Sequence, residues 1–126
     1  MISRSIKLEL GGEEREIKFT LQAIEELEAM LPNRNAFELM SRRIWAVNEI
    51  VSAAYCGLKV FDRKLTRQTV EQWISKYIND NDNGMIKLNS YLVAAIGVSG
   101  LVGGEKSAFE NILRTLDVKE EKDEGK

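Results

Sequence analysis

The side chains that carry most enzymatic chemistry are thinly supplied in this sequence. Histidine is absent, which removes Ser-His-Asp and Cys-His nucleophilic sites, His-ligated metals and the commonest general base together. The single cysteine, Cys56, falls inside a helical apolar pattern, so an internal disulfide is impossible and a small buried thiol is the expected role. Residues 79–84, NDNDNG, have the look of a calcium loop until the register is set. With Gly84 in the invariant sixth place, the first, third and fifth positions become Asn79, Asn81 and Asn83, and the twelfth becomes Ser90 where a bidentate glutamate is needed. A polar turn with a helix cap is the better reading. No GxxxxGK[ST] phosphate loop occurs. The expectation is a protein that is not an enzyme, with no catalytic or metal residues and no cofactor.

Two kinds of surface remain. One is basic: Arg42 and Arg43, with Arg63, Lys64 and Arg67, could together contact a polyanion, and a small nucleic-acid-binding regulator is the alternative reading. It is disfavoured, because the whole chain carries 18 basic and 20 acidic residues for a net charge of −2, and Glu71 sits among the candidate recognition residues of a helix-turn-helix. The other surface is apolar and helical. Its candidate partner-binding residues are Trp45, Leu101, Phe109 and Leu113, aromatic and aliphatic side chains of the kind that anchor protein interfaces.

The elements that must position these residues begin with a hairpin. Ile6, Leu8 and Leu10 alternate with polar residues, as do Ile17 and Phe19, the period of half-buried strands. A two-residue loop of Gly12 and Glu13, suited to a type II′ turn, would set Leu8 opposite Ile17 and Ile6 opposite Phe19. Thr20 offers a cap for a first helix with Leu21, Ile24, Leu27 and Leu31 in one stripe. Asn35 and Glu38 form a capping box that opens a long central helix, expected to run to about Gly57 as its left-handed C-cap. Along it Phe37, Met40, Ile44, Val47, Val51, Ala54 and Leu58 make a seam. Thr66 caps a third helix bearing Val70, Trp73, Ile74, Tyr77 and Ile78. Leu88, Leu92, Ile96 and Ser99 mark a fourth, rich in small residues, and Ser107 with Glu110 opens a short fifth.

The fold class is therefore mainly α, an N-terminal β-hairpin followed by a bundle of about five helices. At 44% hydrophobic and 30% charged, the chain fits one soluble domain over residues 1–116. Residues 117–126, almost all charged, make a disordered tail. The uncharged run 91–104 is too short to span a bilayer, which needs about 20 apolar residues. No membrane role is expected and the cytoplasm is the default location. The seam and the small-residue face also admit self-association.

The hairpin with its Gly-Gly turn, the IKFTLQAIEELE that follows, and LTRQTVEQWI after a basic link together resemble the tail assembly chaperones of long-tailed bacteriophages and prophages. The resemblance covers residues 6–78 and rests on patterned strands and caps. It implies a small helical protein, working in the host cell cytoplasm, that binds the tape measure protein and helps tail tube subunits assemble around it.

Overall fold

The computed structural model describes residues 5–42, 44–103, 109–110, 112 and 119–120. Strands β1 (Ser5–Leu10) and β2 (Glu13–Lys18) pair antiparallel, and a short strand β3 (Lys119–Glu120) pairs with the other side of β1. Helices α1 (Leu21–Met30), α2 (Ala36–Met40), α3 (Val47–Lys59), α4 (Arg67–Asp80) and α5 (Gly84–Ser99) follow the hairpin. Hairpin first, then helices, is the expected architecture.

The turn is built differently from expectation. Gly11 and Gly12 are its two central residues, with φ of +65° and +85°, the type I′ geometry whose twist matches the flanking strands. The register therefore sets Ile6 against Ile17, Leu8 against Arg15 and Leu10 against Glu13. A slip of two residues preserves the faces, so Ile6, Leu8, Leu10, Ile17 and Phe19 are still all buried. It also leaves Arg15 on the apolar face. Its guanidinium stacks 3.8 Å from the Trp73 ring centroid, and its Nε donates to Leu10 O at 3.0 Å. Trp73 thereby closes on the turn, and a Cβ added to Gly11 would lie 2.5 Å from the indole.

Thr20 Oγ1 accepts from Ala23 N–H at 3.1 Å and starts α1, which buries Ala23, Ile24 and Leu27 while Leu21 stays exposed. Asn35 Oδ1 accepts from the amides of Phe37 and Glu38, as its cap role requires. The expected long central helix, however, is two helices. α2 ends at Met40, and α3 starts afresh at Val47. Gly57 is accordingly not a C-cap. It lies inside α3, where a Cβ would stand 2.5 Å from Ile17 Cγ2 and 3.0 Å from Phe19, so its lack of a side chain lets α3 lie directly on the hairpin. α3 is central, touching β2, α1, α4 and α5.

Thr66 caps α4, and a polar turn with Asn83 at φ +56° leads into α5, without a side-chain cap at its start. Leu88, Leu92 and Ile96 are fully buried along α5. Of the short helix expected near residue 110, Phe109, Glu110 and Ile112 are described and helical; Ser107 and Leu116 lie outside the described residues. Within the segment expected to be a charged tail, Lys119 and Glu120 are strand, and the remainder lies outside the described residues.

Replacing Gly11 with Ala should cost at least about 2 kcal/mol, combining left-handed backbone strain with overpacking against Trp73. Gly12→Ala, with nothing near its Cβ position, should cost only about 1 kcal/mol. Urea denaturation of the two variants measures the difference, and equal losses would remove the Trp73 contact from the account.

Candidate functional site: an apolar hollow beside a charge clasp

The break between α2 and α3 is made by side chains from both. Arg42 spans two carboxylates: its Nε and Nη2 donate to Glu38 at 3.1 Å each, and its Nη1 and Nη2 donate to Glu49 at 3.0 and 2.7 Å. Glu49 is buried and also accepts from Ala46 N–H at 2.7 Å, which supplies half a capping box because Ala46 has no side-chain acceptor. Between these anchors Trp45 turns inward. Its indole Nε1 donates to Leu39 O at 3.0 Å, and its backbone N–H donates to Asn89 Oδ1 of α5 at 2.9 Å.

Turning the tryptophan in turns its neighbours out. Trp45 is 4% exposed, whereas Ile44 is 79%, Val47 61% and Ile86 66% exposed. These three rim a hollow of about 140 Å³ lined also by Trp45, Ile50, Met85 and Asn89. Covering each of the three would contribute about 1–2 kcal/mol. An apolar opening of this kind is where a partner's side chain gains most.

The expected partner-binding residues fall elsewhere or in part. Trp45 forms the wall of the hollow and is spent on the core, so it is not a protruding anchor. Leu101 is partly exposed past the end of α5. Phe109 packs on Gly97, whose missing side chain makes its seat. Leu113 lies outside the described residues. Ile44 and Val47 were expected in the seam's core, and only its later members Val51, Ala54 and Leu58 are buried. Ile86 is marked in the sequence only by its place two residues before Leu88, which puts it off the buried stripe of α5.

Among the described basic residues, Arg42 and Arg63 sit toward opposite ends of α3. Arg42 is held at the start of α3 by its two carboxylates, and Arg63 lines a cavity with Lys59 and Glu26 near its end, about 20 Å along the helix. Arg67 donates to Ser52 Oγ at 2.9 Å and Asn48 Oδ1 at 2.8 Å, with Glu71 alongside at 3.5 Å. Lys64 is exposed in the link before α4, and Arg43 lies outside the described residues.

Burial shifts two titratable side chains. Burial pushes the Cys56 thiol up to about 12, with the Glu26 charge adding to it, and the sulfur rests 3.9 Å from Met30 Sδ. Burial likewise raises the Tyr77 hydroxyl to about 12, with Tyr91 beside it. Among the described residues no group of three or more Cys, Asp or Glu side chains could hold a metal ion, and no helix is long and apolar enough to cross a membrane. Comparison with protein-family models, with curated proteins and with solved structures found no match.

The hydrogen bonds from Arg42 hold the Glu49 carboxyl below its ordinary 4.5, against the opposing effect of burial and with help from Ala46 N–H. A folded-state value below the unfolded one means that the clasp stabilises fully above about pH 4.5 and fades as pH falls through the folded value. Glu49→Gln should therefore lose about 1–2 kcal/mol at neutral pH, with the gap to the parent chain narrowing in acid. Thermal denaturation from pH 7 to pH 3 checks it; a gap independent of pH would contradict the clasp.

Proposed function

We propose that this chain is a phage or prophage tail assembly chaperone that binds the tape measure protein and assists the assembly of tail tube subunits in the host cytoplasm. The observation that carries the reading is the hollow rimmed by Ile44, Val47 and Ile86, three aliphatic side chains held outward by a fold that buries its large tryptophan directly behind them. A long client with amphipathic helices offers the matching surface, since one apolar residue per turn can seat in such a hollow while its neighbours cover the rim. The quiet thiol and the carboxylates committed to Arg42 fit a binding protein better than a catalyst. The sequence resemblance of the hairpin and first helices then selects the client.

The test is a titration of the full chain with the tape measure protein of the same tail. The parent chain should bind, and the Val47→Asp, Ile86→Asp double variant should bind about 50- to 100-fold more weakly, the equivalent of losing about 2.5 kcal/mol of apolar contact. Because both side chains are mostly exposed, the variant's stability should stay within about 0.5 kcal/mol of the parent. A folded parent that fails to bind a folded tape measure protein would refute the reading.

A further inference from the structure

The hollow between α3 and α5 is small, and its wall is chemically uneven. At about 140 Å³ it falls short of the roughly 300 Å³ or more of a small-molecule pocket and comes close to the roughly 150 Å³ of a cavity that takes up one benzene molecule. One side chain fills it. Two groups in the wall favour a ring over an aliphatic branch: the Trp45 indole offers a partner for offset or edge-on aromatic contact, and the Met85 thioether gains from lying against a ring edge.

Ser90 adds a polar requirement. It is half-buried in this wall, it supplies the one hydroxyl there, and its Oγ has no hydrogen-bond partner among the described residues. The neighbouring polar groups are engaged, since Asn89 Oδ1 accepts from Trp45 N–H and Trp45 Nε1 donates to Leu39 O. A purely apolar occupant would cover the Ser90 hydroxyl without pairing it, whereas an occupant with a hydroxyl at its tip would pair it in place of water.

We propose that the hollow is a tyrosine-selective subsite, in which the ring of a client tyrosine stands between Trp45 and the rim of Ile44, Val47 and Ile86 while its phenol hydroxyl hydrogen-bonds Ser90 Oγ. Tyrosine suits such a seat because it covers a large area while losing the freedom of only about two torsions. That the tyrosine belongs to the tape measure protein rests on the function proposed for the chain; the preference of the hollow for a phenol does not.

Toluene and p-cresol, which reproduce the side chains of phenylalanine and tyrosine, are the probes. Titrated into the full chain, each should shift the methyl resonances of Ile44, Val47 and Ile86 saturably, and p-cresol should half-saturate at about fivefold lower concentration, the worth of one neutral hydrogen bond. Ser90→Ala removes only the hydroxyl and places a better helix former in α5, so it should fold as the parent does and reverse the order of preference. The Val47→Asp, Ile86→Asp double variant should lose the response of Ile44 to both probes. At about ten times its half-saturating concentration, p-cresol should weaken binding of the tape measure protein to the parent chain about tenfold by competition. No saturable shift, or a preference for p-cresol that survives Ser90→Ala, overturns the subsite. A tape measure protein that binds undisturbed by p-cresol overturns the seating of its tyrosine there, and one that never binds a chain showing the preference overturns the chaperone reading alone.

Discussion

The structure turns on the clasp that Arg42 makes with Glu38 and Glu49. It ends one helix and starts the next, and in doing so it decides which half of a continuous apolar seam goes into the core. Were residues 36–59 one straight helix, Ile44 and Val47 would lie on the same stripe as Val51 and Leu58. With the helix broken between Met40 and Val47, Trp45 goes in, held from both ends by Leu39 and Asn89, and Ile44 and Val47 are carried to the surface. Removing one partner of such a network leaves a buried carboxylate without its cation, which is costlier than never having placed it there. The exposed aliphatic surface and the anchor of the core are thus set by one group of side chains.

The hairpin supplies the second constraint. Its apolar face needs a cover, and α3 gives it by pressing Gly57 onto Ile17 and Phe19, while α4 closes over the turn through Trp73. These contacts are between residues distant in sequence, and both depend on a position without a side chain. The sheet is therefore fixed on its helical face.

What could be read from the residues alone follows from how local each cause is. The caps at Thr20, Asn35 and Thr66 are local, and each stands where the pattern puts it. The hairpin's buried face was legible because a period of two survives a slip of two residues. Its turn was not, since the run Gly-Gly-Glu admits two overlapping loops, and the observed one brings Gly11 under Trp73. The break between Met40 and Val47 left only a faint local trace, a glutamate three residues after Ala46 with no hydroxyl or amide before it. Its other determinants, Asn89 above all, lie far along the chain. For the same reason Trp45 stood out by size alone, and the aliphatic residues beside it read as core.

The central claim is that the surface displayed by this break is where a partner sits. Hydrogen exchange on the full chain, alone and mixed with the tape measure protein, tests it most directly. The account predicts slower exchange on mixing in residues 44–50 and 85–90, the two segments that rim the hollow. Unchanged exchange there in a mixture that does associate, with protection gained at other segments instead, would contradict it.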